Sequence, residues 1–181
     1  MDKSCCNTMN NKDQKKSKID PFLAGIIIIT VFLLGAAVYF GTQMGTTTTV
    51  TTDNQVQIAV DSYRHNWETI DYDNGMATKE FSIKNTGKSP LKIYNVITSC
   101  MCTTAQLKTS GITSEKFGMH EKSAGVFEIK PGQTAKLMIE FDPAFHGPSG
   151  VGPVTRIITM DTNDPQNPKL SFELIGNVVK K

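Results

Sequence analysis

The chain has 181 residues, 39% of them hydrophobic and 20% charged, with a formal net charge of +2. Residues 53–181 balance fourteen basic against fourteen acidic side chains; that neutrality argues against nucleic-acid binding, which needs a clustered basic face. The length fits one ordinary domain with extensions.

Residues 1–20 carry Lys3, Lys12, Lys15, Lys16 and Lys18 against Asp2, Asp13 and Asp20, and are too polar to bury a core. Cys5 and Cys6 lie in this tail and read as incidental, with metal binding or lipidation as the functional alternative. Residues 21–41, "PFLAGIIIITVFLLGAAVYFG", follow, and no charge appears between Asp20 and Asp53. About 20 apolar residues at 1.5 Å each span roughly 30 Å, the thickness of a bilayer's hydrocarbon core. The expectation is one transmembrane helix, with Tyr39 and Phe40 at its far interface. The lysines precede it, so residues 1–20 are expected in the cytoplasm and everything after about residue 42 outside it, in the periplasm or at the cell surface. A cleaved signal ending near Gly35-Ala36-Ala37 is the alternative, and it too exports the rest. Residues 42–55 are rich in threonine and read as an extended spacer.

From 56 to 181 the apolar period becomes two. "ATKEFSIKN" (Ala77 to Asn85) puts Phe81 and Ile83 on one face, and "NTGKSP" ends the run. "LKIYNVIT" resumes it with Leu91 and Ile93. In "GVFEIKPGQTAKLMIEFDP", Val126 to Ile129 and the alternating Ala135, Leu137, Ile139 and Phe141 flank Pro131-Gly132, which predicts a hairpin. Val154 to Thr162 and Lys169 to Val179 are two further strands, separated by the proline-rich "NDPQNP". Residues 108–125 fit no strand pattern and read as a long surface loop. Trp67, the lone tryptophan, is expected to cap the core near the first strands. Six to eight short strands with no convincing helical period give an all-β fold, an immunoglobulin-like β-sandwich preceded by one N-terminal transmembrane helix.

Five stretches, in this order, carry a resemblance: "FSIKNTGKSPLKI", "SCMCT", "KPGQTAKLMIEFDP", "ITMDTNDP" and "LIGNV". Together they resemble the bacterial proteins of domain of unknown function 1573, which look like relatives of the ASH (Hydin-like) and major-sperm-protein group of immunoglobulin-like modules. The resemblance covers roughly residues 65–179. It implies an immunoglobulin-like fold and an exported location, and no established activity. Met101 stands where the family usually has glycine, and residues 108–125 are longer than the family's usual link.

The motif Cys100-Met101-Cys102 carries the chemistry with most to offer. In a flat strand, residues two apart are about 6.6–6.8 Å from each other, at the limit of the roughly 4.4–6.8 Å that a disulfide bridges. A bond therefore requires a bend at Met101. Four readings stay open: cysteines packed in the core, a Cys100–Cys102 bridge, a soft-metal site and a catalytic thiol–disulfide pair. The metal would be Cu(I), with Cys100, Cys102, Met101, Met119 and His120 as candidate ligands and His146 as a more remote one. The redox pair lacks the C-x-x-C spacing at a helix start that lowers a thiol's pKa. Asp71, Asp73 and Asn74, and likewise Asp161, Asn163 and Asp164, are oxygen-rich. They lack the twelve-residue calcium ladder and read as turn formers. No motif of an established catalytic class appears, so no enzyme is expected.

The reading is a single-pass membrane protein whose extracytoplasmic sandwich is a non-catalytic binding or scaffolding module for another envelope protein, offering sheet edges and loops. It needs no cofactor. The alternative is a copper-binding or thiol-redox protein built on Cys100 and Cys102. A fimbrial-type chaperone would need two such domains and no permanent anchor.

Overall fold

The structure, a computed structural model, describes residues 20–43, 50–120 and 125–181, with the side chains of residues 37 and 40–43 excepted. The expected cytoplasmic tail up to residue 19, with Cys5 and Cys6, lies outside the described residues, as do residues 44–49 of the expected spacer. The chain divides into two compact units, Met1–Thr48 and Thr49–Lys181.

In the first unit, helix α1 runs Pro21–Gln43. Asp20 caps it: its Oδ1 accepts the Phe22 N–H at 3.0 Å, and Pro21 fills the first helical position, where a missing N–H costs nothing. Phe22, Ile28, Phe32 and Leu34 all stand exposed. Among the described residues, however, no helix is long and apolar enough to cross a membrane. The helix is present; its crossing of a membrane is not supported by what is described.

The second unit is a sandwich of two sheets. Its strands are β1 (Ile58–Val60), β2 (Arg64–Asp71), β3 (Ala77–Asn85), β4 (Leu91–Thr98), β5 (Thr103–Lys108), β6 (Phe127–Ile129), β7 (Thr134–Phe141), β8 (Gly152–Thr162) and β9 (Lys169–Val179). One sheet has the order β1-β3-β7-β5 and the other β2-β9-β8-β4-β6. All pairings are antiparallel except β2 with β9. Alternation places Phe81 and Ile83 of β3, Leu137 and Ile139 of β7, Ile158 and Met160 of β8, and Phe172 and Leu174 of β9 in one shared core with essentially no exposure. Phe81 and Phe172 meet with ring centroids 5.0 Å apart, linking the two sheets.

Two expectations change. The hairpin across Pro131-Gly132 is absent, because β6 pairs with β4 while β7 pairs with β3 and β5. The turn is real, closed by the Gln133 N–H on the Lys130 carbonyl at 3.0 Å, with Gly132 at φ 78°. A proline followed by a residue at positive φ is type II turn chemistry. Instead of reversing the chain within one sheet, this turn carries it from one sheet to the other. The loop expected over residues 108–125 is not confined to the surface either. Phe117 exchanges backbone hydrogen bonds with Ala105 at 2.7 and 3.0 Å and is buried, so residues 113–117 fold back along β5; residues 121–124 of the expected loop lie outside the described residues.

Backbone approach explains "NTGKSP". Lys88 donates to the Gln55 carbonyl at 2.8 Å, and a Cβ on Gly87 would collide with that same carbonyl oxygen and the Gln57 nitrogen. Glycine is required there because the chain entering β1 passes against it.

Candidate functional site

The two cysteines lie in the connection between β4 and β5, which changes sheets. The Thr103 N–H closes a turn on the Cys100 carbonyl at 3.1 Å, with Met101 and Cys102 as its central residues. This is the bend that bridging requires. It brings the Cα atoms to 5.3 Å, and Cys100 and Cys102 are joined as a disulfide. Among the described non-glycine residues, only Glu68 and Asn95 have positive φ. Met101 therefore sits in this turn without a left-handed backbone.

The turn is held on several sides. The Thr98 hydroxyl donates to the carbonyls of Cys100 and Thr103 at 3.1 and 3.0 Å. Asp142 N–H donates to the Cys102 carbonyl at 2.9 Å, and Ser99 N–H to the Ile157 carbonyl at 2.9 Å. Buried backbone acceptors are satisfied in this way, as a fixed turn inside a protein requires.

The sulfurs differ in their surroundings. Cys102 is 3% exposed and packs in a small second core with Ile70, Phe141 and Val178. Cys100 is half-buried at the rim of that cluster. The Arg156 Nε–H donates to Cys102 Sγ at 3.1 Å, while His146 Nε2 lies 3.4 Å from Cys100 Sγ. The Arg156 guanidinium also sits 4.9 Å from the Phe141 ring centroid, and Trp67 stacks on Phe141 at 5.7 Å. Burial pushes the Arg156 pKa below its ordinary value.

The ligand atoms of Cys100, Cys102 and His146 all lie within 4.8 Å of one another. Among the described residues that cluster does not include His120. Met101 is exposed at the tip of the turn. Met119 is exposed on the segment whose Gly118 carbonyl accepts the Thr98 N–H at 3.1 Å. As bridged, the sulfurs offer no thiolate to a soft metal. Arg156 is the residue that the sequence reading passed over. The signal was there: Arg156 shares the inward phase of β8 with Val154, Ile158 and Met160, and a charge in that phase calls for a partner.

The oxygen-rich loops direct their oxygens to backbone N–H groups, amides and lysines of the protein itself. Asp71 Oδ1 accepts the Asp73 N–H at 3.1 Å. Asp164 accepts from the Gln166 N–H and the Asn167 amide at 2.9 Å each. Asn163 receives the Lys92 N–H at 2.8 Å and donates to the Pro90 carbonyl at 3.1 Å. Asp71 forms the turn after β2, while Asn163 and Asp164 shape the turn after β8 and Asn163 splices it to the start of β4.

The family model described as "Protein of unknown function (DUF1573)" matches residues 58–120, bearing out the resemblance read from the residues. No curated protein matches the sequence. In structure the chain is similar to a protein of unknown function from Porphyromonas gingivalis W83, at 21% identity and TM-score 0.52 over 73% of this chain and 51% of that one. This chain thus spans about half the length of that protein. It is also similar to the ASH/PapD-like domain 7 of human CEP192, at 13% identity and TM-score 0.45, covering 74% and 93% of the two chains. The E. coli chaperone DraB gives 9% identity and TM-score 0.40, covering 67% and 54%. The fold is a two-sheet β-sandwich, shared with the first of these structures.

Proposed function

We propose that this chain is a membrane-anchored, non-catalytic binding module whose sandwich lies outside the cytoplasm and docks another envelope protein along β2. The carrying observation is the edge formed by β2. Of the four edge strands, β1 and β6 have three residues each, and β5 is covered by the segment around Phe117. β2 has eight residues and, among the described residues, pairs only with β9. Strand addition to such an edge is a recurrent mode of protein recognition, with affinity from main-chain hydrogen bonds. The uncharged stretch of residues 21–41, with five lysines just before it and no basic residue after it until Arg64, supports the anchor and its orientation.

The test is site-specific photo-crosslinking in cells, with the photoreactive residue at Asn66 in β2 or at Lys84 in β3, an interior strand of the other sheet. A discrete adduct at position 66 and none at 84 is expected, and equal labelling at both would defeat the edge reading. Protease supplied outside the cytoplasmic membrane should digest the sandwich and leave a fragment holding α1. A sandwich that survives until the membrane is opened would refute the topology.

A further inference from the structure

We propose that Cys100 and Cys102 form a reversible dithiol/disulfide site, opened by attack of a thiol reductant on Cys100 with Cys102 as the leaving sulfur held by Arg156. This goes beyond the binding-module reading and does not depend on the β2 edge or the anchor.

Access and charge give the two sulfurs different roles. Cys102 is 3% exposed while Cys100 reaches the surface beside the exposed Met101, so an incoming thiolate meets Cys100. The sulfur expelled is then Cys102, and exchange runs faster when the leaving sulfur is stabilised as a thiolate. Arg156 supplies that stabilisation. Its Nε–H is already aimed at Cys102 Sγ at 3.1 Å, and among the described residues no carboxylate pairs with it. A half-buried guanidinium with no carboxylate partner among the described residues sits on the sulfur that becomes anionic in the first step. Packing on Phe141 and the bond from Nη1 to the Thr155 carbonyl at 2.8 Å account for the ends of the fork. They do not account for Nε facing sulfur.

The exchange balances as follows. A thiolate RS⁻ bonds to Cys100 Sγ, the Cys100–Cys102 bond breaks, and its electron pair leaves on Cys102 beside Arg156. A second thiolate attacks the mixed disulfide at its R sulfur, releasing RSSR and leaving the electron pair on Cys100, within hydrogen-bonding reach of His146 Nε2 at 3.4 Å. The two protons of the consumed thiols are taken up by the two cysteines. Overall, one bridge and two RSH give two cysteine thiols and RSSR, and oxidised reagent drives the reverse.

The experiment uses the full chain in detergent, equilibrated with reduced and oxidised glutathione, with the 100–102 peptide read by differential alkylation and mass spectrometry. Reversible two-electron opening and closing is expected. Arg156→Gln should slow reduction about tenfold and shift the equilibrium toward the bridged form. Arg156→Lys, which keeps the charge, should stay near the parent. If Arg156→Gln fails to fold, the Lys variant and the parent titration decide. A bridge that glutathione cannot open, or a parent and Gln variant with equal rates, would overturn the proposal. So would reduced thiols that take up Cu(I) yet never re-form the bridge with oxidised glutathione.

Discussion

The amide of Asn85, with no exposed surface, donates to the carbonyls of Ser89 and Ile129 at 2.9 Å each and accepts the Gly87 N–H at 3.0 Å. Its own backbone exchanges with the Pro131-Gly132 turn through Gln133 and Gly132. One side chain therefore ties the end of β3 to the end of β6 in the opposite sheet. Asn85→Ala would remove three hydrogen bonds, the one to Ile129 fully buried, a loss of about 3 kcal/mol. Urea unfolding measures it, and a loss under about 1 kcal/mol would mean that water takes over the three bonds. The sequence marks Asn85 as the start of a turn. Its burial is legible only from the phase it shares with Phe81 and Ile83, the same clue that Arg156 offers in β8.

At the level of elements, two irregularities decide which side chains face inward. β4 buries Leu91 and Ile93, then Val96 and Thr98. The phase slips at Asn95, whose φ is 52° and where the pairing with β8 shifts register. Asparagine tolerates that conformation better than most residues, and its amide donates to Asp161 at 2.8 Å. β2 slips in the same way at Glu68, with φ 59°. A bulge moves every later side chain to the other face, so plain alternation in "LKIYNVIT" misassigns its second half. The segment that covers β5 is tethered by Lys116, whose ammonium donates to Glu140 at 2.6 Å and holds that carboxyl below its ordinary value of 4.5. A lowered carboxylate value stabilises the fold above the unfolded value, and the gain disappears as pH falls through the folded one. Lys116→Ala should therefore cost at most about 1 kcal/mol at neutral pH, since the pair is solvated. The gap from the parent should close below pH 4.5. Thermal melts across that range measure it; a gap unchanged at pH 2 would mean that Lys116 acts by packing.

For the sandwich as a whole, stability rests on contact between two sheets whose members are interleaved in sequence. Consecutive strands β4 and β5 lie in different sheets, as do β6 and β7, so neither sheet can form from a contiguous stretch. Phe172, fully buried in β9, meets Phe81 of β3 in the other sheet. Phe172→Ala should cost about 3–5 kcal/mol, the transfer term plus the cavity left between the layers. A much smaller loss in calorimetry would imply that the layers close over the gap. The same interleaving sets the cysteine turn between sheets, where β7 and β8 bring their own residues to it.

Sequence alone determined the β class, several strand spans, the turn sites and the family resemblance, because each is written in local period and turn chemistry. It named Cys100 and Cys102 and their need for a bend, since two residues of spacing limit what their sulfurs can do. The tertiary structure alone decided which sheet each strand joins, and that β2 runs parallel to β9. It also set Arg156 and His146 against sulfurs 54 and 46 residues away. Alternation specifies that one face of a strand is buried and is silent about what buries it; that choice belongs to long-range packing, where distant segments compete for the same apolar surface.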